Sequence, residues 1–203
     1  MTRALAKVVA IVTLPFIMHV RASVYLYEHH VPTWLAILLA ATVTSGIVAA
    51  YGVWLARRVS RSARATRIVN WIALPLVAAW TLYSAFYLAR VNAKTDAVRD
   101  YYSAVHPILR VALSTAILVD GDLVITDTRR DASDYGRMGL PVNDRTYHYQ
   151  LSDGWVHAVD LRTIGRSAIK NRMVQFYFWT MGFSTLRHVG TADHLHVQLR
   201  LPS

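Results

Sequence analysis

The chain has 203 residues, of which 54% are hydrophobic, a formal net charge of +10 and no cysteine. Without cysteine, a disulfide framework and a cysteine-type zinc site are both excluded. Residues 1–90 carry nine Lys or Arg side chains against one acid, Glu28, whereas residues 91–203 carry thirteen against eleven Asp. A nucleic-acid surface needs basic residues clustered on a folded soluble face, but here most of the excess charge lies between apolar spans. We therefore expect no nucleic-acid partner.

Three apolar spans occupy the first ninety residues. Trp34–Leu55 and Ile68–Leu88 contain no charged side chain and are long enough to cross a hydrocarbon core of about 30 Å as helices. Val8–Val20 is shorter and contains Pro15, so it is either a third spanning helix, which we favour, or the apolar part of a signal peptide cleaved near Ala22. The pattern predicts an anchor of three transmembrane helices, or of two helices and a signal peptide.

The loop between the two longer spans fixes the expected orientation of this anchor. It carries five arginines and no acid, namely Arg57, Arg58, Arg61, Arg64 and Arg67. By the positive-inside rule this loop is cytoplasmic, which puts the N-terminus in the cytoplasm and the chain after Arg90 outside. A cleaved signal peptide would leave the same orientation. We therefore predict an anchor over residues 1–90 in a bacterial cytoplasmic membrane, with the lipid bilayer as partner and residues 91–203 periplasmic or extracellular.

The outer part, residues 91–203, alternates helix and strand signals. The predicted elements are two helices over Val91–Ala116 divided at Pro107, a strand at Asp122–Asp127, a loop at Arg129–Asp144, a hairpin over Tyr147–Leu161, a helix at Ser167–Met181 and a strand at His194–Leu201. In the last helix, the apolar Ile169, Met173, Val174 and Phe176 are expected on one side. This order predicts a small α+β domain with an antiparallel sheet.

Histidine and aspartate concentrate in two of these segments. Asp193, His194 and His196 lie in or next to the last strand, where side chains alternate so that the two histidines point the same way. His148, His157 and Asp160 lie in the hairpin. Neutral imidazole and carboxylate are natural donors for zinc, so convergence of these two clusters would form a metal site.

Four short motifs in order resemble the zinc peptidases of bacterial cell walls. The motifs are Thr126–Arg129, Ala158–Leu161, Met181–Phe183 and Asp193–Gln198. They are similar to the D-alanyl-D-alanine carboxypeptidases and murein endopeptidases that share the hedgehog-like fold, over about residues 100–203. The resemblance implies that fold, a bound Zn²⁺ and hydrolysis of amide bonds in peptidoglycan stem peptides.

The resemblance also implies roles for single residues. His196 and Asp160 match metal ligands, His194 matches the histidine beside the substrate, and Asp193 matches the general base that takes a proton from water. Arg129 matches the arginine that orients the substrate or stabilises the developing oxyanion.

The first metal ligand departs from the family pattern, because Asp153 stands where the family has a histidine. His148 and His157 are the candidates to replace it. In a regular strand His157 would point away from Asp160, whereas a three-residue hairpin loop places His148 on the face of Asp160. A two-residue loop reverses that result. We therefore predict His148, Asp160 and His196 as the ligands, with His157 as the alternative to His148.

Two other functions are compatible with the sequence. Because the family histidine is missing at Asp153, the domain could be a non-catalytic module that binds peptidoglycan or protein on the same fold. It could also be the outer part of a small membrane assembly factor that docks a partner.

Overall fold

The structure is a computed structural model that describes residues 2–59, 63–139, 141–143, 145–190 and 193–202. Three long helices begin the chain. They are α1 (Thr2–Glu28), α2 (Thr33–Val59) and α3 (Ala63–Phe86). The chain divides into two compact units, Met1–Tyr83 and Ser84–Ser203. Within the first unit α1 packs along α2.

The prediction of three membrane helices is only partly supported. Among the described residues, one stretch is long and apolar enough to cross a bilayer, Thr33–Arg58 in α2. The apolar part of α3, Trp71–Phe86, is shorter than the roughly 20 residues that a spanning helix needs. This one helix is compatible with an anchor or with a signal sequence. The centre of the predicted arginine-rich loop, including Arg61, lies outside the described residues.

The second unit is an α+β structure, as the sequence predicts. Its helices are α4 (Asp96–Asp100), α5 (Pro107–Val119), α6 (Ala132–Met138) and α7 (Ala168–Thr180). Its strands are β1 (Ile125–Asp127), β2 (Ala158–Arg162), β3 (Ser184–His188) and β4 (His194–Gln198). They form one antiparallel sheet in the order β1-β2-β4-β3.

Local signals explain where the two main helices begin. Pro107 fits the first turn of α5, and the His106 ring caps it by accepting a hydrogen bond from the Ile108 N–H. Ser167 caps α7 by accepting from the Lys170 N–H. Helix α7 ends before Gly182, whose φ of 102° is a conformation that glycine adopts without strain. Helix α5 is buried from Pro107 to Ala116 and forms the centre of the core.

Two local predictions were wrong, and one strand was missed. The segment before β2 forms turns instead of a first hairpin strand, although Leu151 and Trp155 pair across a three-residue loop as expected. Helix α6 lies inside the predicted loop because Asp131 and Asp134 form a reciprocal capping box. Strand β3 was not predicted.

The register of the sheet sorts its side chains into two faces. Asp160 of β2 lies opposite His196 of β4, and Asp127 of β1 lies opposite Asp160. Their neighbours along the strands, such as Leu161 and Leu195, are buried in the core. The sheet therefore has one packed apolar face and one face rich in histidine and aspartate.

Candidate metal centre

The pair at the centre of the polar face is formed by neighbouring strands. Asp160 and His196 are direct cross-strand partners, and the His196 Nδ1 lies 2.9 Å from the Asp160 Oδ1. Side chains that are paired in this way across an antiparallel ladder point to the same face of the sheet. The β2–β4 register alone therefore brings these two donors together.

His148 reaches the pair from a turn, where two backbone contacts hold it. Its Nδ1 lies 2.7 Å from the Thr128 carbonyl oxygen, and its own carbonyl accepts from the Arg130 N–H at 3.0 Å. A carbonyl can only accept, so Nδ1 carries a proton and Nε2 is the nitrogen that can offer a lone pair to a metal. That Nε2 lies 3.3 Å from the Asp160 Oδ1 and 3.3 Å from the His196 Nδ1.

These three donors fit a zinc ion in chemistry and in spacing. Two imidazole nitrogens and one carboxylate oxygen are a normal donor set for catalytic zinc, which leaves one position open. In a tetrahedral site with bonds of about 2.0–2.1 Å, ligand atoms are about 3.3 Å apart. The three observed distances are 2.9, 3.3 and 3.3 Å. The His148 contact to Thr128 is also the outer hydrogen bond that metal-binding histidines commonly make.

Arg130 supports the carboxylate from the other side. Its guanidinium lies 2.9 Å from the Asp160 Oδ2 and 2.6 Å from the Asp127 Oδ2. Burial by itself would raise the pKa of the Asp160 carboxyl, but its interactions with the His148 and His196 rings outweigh burial and lower that pKa overall. Asp160 is therefore an ionised carboxylate whose Oδ1 faces the histidines.

An open cavity of about 440 Å³ lies over the three donors. Strands β3 and β4 provide one wall, with Leu186, His188, His194 and Gln198 among the lining residues. The His194 ring stacks on His188 with centroids 4.5 Å apart, and its Nε2 lies 3.6 Å from the Asp160 Oδ2. A small peptide-sized ligand could therefore reach the donors.

Two residues matched to catalytic roles lie elsewhere. The exposed Arg129 guanidinium sits over the Tyr101 ring, 5.6 Å from its centroid. Asp193 accepts two hydrogen bonds of 2.8 Å from Arg187 and one from the Thr163 hydroxyl. The bond from Arg187, followed by that from Thr163, lowers the pKa of Asp193 and makes it a weaker base.

The alternative ligand His157 belongs to a second cluster with His106 and Asp153. Its Nε2 lies 2.8 Å from the Asp153 Oδ2, and the rings of His106 and His157 are 4.7 Å apart. The His106 Nδ1 accepts the Ile108 N–H, so the neutral ring carries its proton on Nε2 and has no second lone pair for a metal. The positive charge of Arg110 also acts on His106. This cluster fits a structural role better than a metal site.

Sequence reasoning missed Arg130 and His188. Arg130 lies one residue beyond the matched Arg129, and its spacing of three from Asp127 was the available signal. His188 ends the short run Ser184–His188, whose single apolar residue, Leu186, gives only a weak strand signal before Gly190.

Comparison of the chain with protein-family models, curated proteins and solved structures finds no match.

Proposed function

We propose that the protein is a membrane-anchored zinc-dependent peptidase that hydrolyses amide bonds of peptidoglycan stem peptides outside the cytoplasmic membrane. The observation that carries this proposal is the convergence of the His148 Nε2, the Asp160 Oδ1 and the His196 Nδ1 beneath an open cavity. The apolar helix α2 supports the anchor. The substrate class rests on the motif resemblance.

The chain's own residues would divide the work as follows. His148, Asp160 and His196 hold the metal, which when bound supplies a Lewis acid and lowers the pKa of water. Arg130 fixes the Asp160 carboxylate and lines the cavity, so it is better placed than Arg129 to meet a substrate carbonyl. His194 lines the cavity beside Asp160, where the resemblance places the substrate-side histidine.

One observation favours a second candidate, a non-catalytic domain that binds peptidoglycan or protein. Asp193, matched to the general base, is held by Arg187 and Thr163. A carboxylate in two charge-assisted hydrogen bonds is a weak proton acceptor unless Arg187 moves away. The same metal site would then organise a binding cleft.

The first test is the metal content of the purified full-length chain after zinc loading and dialysis, measured by elemental analysis. We expect about one zinc per chain, with loss in His148→Ala and His196→Ala. His157→Gln is the matched control, because it also removes a buried histidine from the second unit but should keep the metal. Circular dichroism checks that each variant is folded. A folded wild type without zinc, or zinc loss in the control alone, would refute the site.

A second test separates the two candidates. The zinc-loaded chain is incubated with a stem peptide ending in D-alanyl-D-alanine and with a cross-linked muropeptide, and the products are followed by mass spectrometry. Hydrolysis that disappears in His196→Ala supports the peptidase. Zinc binding with peptide binding but no hydrolysis favours the binding domain.

A further inference from the structure

Helix α7 is apolar on two opposite sides. Val174 and Phe178 are buried in the core. The other side, the α7 outer face, carries four large apolar side chains that are 61–72% exposed, namely Ile169, Met173, Phe176 and Trp179. The sequence pattern placed Val174 with Ile169, Met173 and Phe176, but the helix turns Val174 inward and leaves the other three outside. Packing within the second unit therefore does not explain why these four exposed positions are apolar.

Two more exposed apolar side chains lie near the start of α7. Arg166 pairs with Asp120, so the segment before α7 lies against the end of α5. Ile164 and Val119, the apolar neighbours of this pair, are 59% and 80% exposed. Exposed apolar surface as large as the outer face of α7 marks an interaction site with a protein or a membrane.

The charge on the outer face favours an anionic surface as its partner. Between Ile164 and Thr180 the chain has three basic residues and no acidic residue. Arg166 and Lys170 are paired with Asp120 and Asp122, so the exposed Arg172 of α7 is the basic side chain that the outer face offers to a partner. The Phe176 and Trp179 rings lie 6.0 Å apart on the exposed side. Aromatic and aliphatic side chains flanked by Lys and Arg are typical of helices that lie in the interface of an anionic bilayer.

We propose that the α7 outer face docks onto the surface of the lipid bilayer that holds α2. A membrane helix in the same chain keeps the second unit at high effective concentration near lipid, so even a weak interfacial contact would be occupied. The contact buries the apolar side chains in the interface and places Arg172 near lipid phosphates. This proposal rests on α2 as an anchor and is independent of any metal or peptidase activity.

The absence of cysteine allows a direct test in the reconstituted full-length chain. Phe176→Cys and the control Val142→Cys, at another exposed apolar position, are labelled with a polarity-sensitive fluorophore in phosphatidylglycerol vesicles. We expect a quencher attached to the lipid to reduce the signal at 176 at least twofold and to leave 142 nearly unchanged, with the reverse order for aqueous iodide. Equal iodide quenching at both positions overturns the proposal.

A second set of variants tests whether the outer face itself makes the contact. With the reporter at Ile169→Cys, Phe176→Ser combined with Trp179→Ser should abolish lipid quenching, whereas Leu201→Ser, another exposed apolar site, should not. Lipid quenching of the reporter should be weaker in Arg172→Gln and in vesicles of phosphatidylcholine alone. Protection from iodide without lipid quenching, lost as the chain is diluted among vesicles, would assign the surface to a second copy and overturn the bilayer.

Discussion

At the scale of single residues, two adjacent arginines have different surroundings. Arg129 is exposed over Tyr101, whereas Arg130 bridges Asp127 and Asp160. Partners that orient a metal ligand typically contribute 10–100-fold to metal affinity. Arg129 is therefore a matched control in a test of whether Arg130 supports zinc binding.

We predict that Arg130→Gln weakens zinc binding about 10–100-fold, because Asp160 loses the cation that fixes its Oδ2. Arg129→Gln should change the affinity by less than about twofold, because its partner is an exposed ring. Affinities are measured by competition with a chelator of known zinc affinity. Equal losses in the two variants would mean that net charge alone, and not the contact with Asp160, supports the site.

His148 as the first metal ligand stays a prediction, but the structure places His148, and not His157, beside Asp160 and His196. The three-residue loop that favours His148 is present, as the Leu151–Trp155 hydrogen bond shows. His148 nevertheless reaches Asp160 from a different element than predicted. It lies on a turn that hydrogen bonds to Thr128 and Arg130 hold, and not on a hairpin strand. These tertiary hydrogen bonds have no periodic signal in the sequence.

At the scale of elements, the sequence predicted a helix with clear end signals but missed one short strand. The predicted helix Ser167–Met181 corresponds to α7 within a residue at either end, because Ser167 and Gly182 mark its limits. Strand β3 has only five residues, three of them half-buried, so its pattern is weak. The exposed outer face of α7 was also not predicted, because a helix with two apolar sides does not show in sequence which side is buried.

The cap of α7 gives a prediction at this scale. Ser167→Ala removes the hydroxyl that accepts the Lys170 N–H and should destabilise the second unit by about 1 kcal/mol. Ser103→Ala, an exposed serine outside any helix cap, is the control and should be nearly neutral. Urea unfolding followed by tryptophan fluorescence measures both changes. A neutral Ser167→Ala would mean that packing of Val174 and Phe178, not the cap, determines where α7 begins.

At the scale of the whole molecule, the second histidine cluster couples stability to pH. Burial lowers the pKa of His106 well below its ordinary value, and the nearby His157 and Arg110 lower it further. Burial also lowers the pKa of His157, although its hydrogen bond with Asp153 partly opposes the shift. Both rings are therefore neutral in the folded chain and take up protons more readily when it unfolds.

We predict that stability is greatest above about pH 6.5, the ordinary histidine value, and declines as the pH falls toward the lowered folded pKa values. The unfolded chain binds more protons in that window, so each histidine contributes a slope of up to about 1.4 kcal/mol per pH unit. The slope is measured from the unfolding midpoints of the metal-free chain at pH values between 7.5 and 5.5.

His106→Asn keeps a cap for α5 and removes one titrating ring, so its slope should be shallower than that of the wild type. His29→Asn, at an exposed position in the first unit, should leave the slope unchanged. An unchanged slope in His106→Asn would assign the acid sensitivity to other groups.

The strand order has a consequence for biosynthesis. Strand β4 is the latest of the four to be made, yet it lies inside the sheet, between β2 and β3. Until His194–Gln198 emerges, β2 lacks one partner strand and β3 has no partner in the sheet, so both present edges that can pair with other chains. A nascent chain stopped before β4 would therefore be prone to aggregation and would lack the His196 donor, which ties assembly of the metal centre to completion of the sheet.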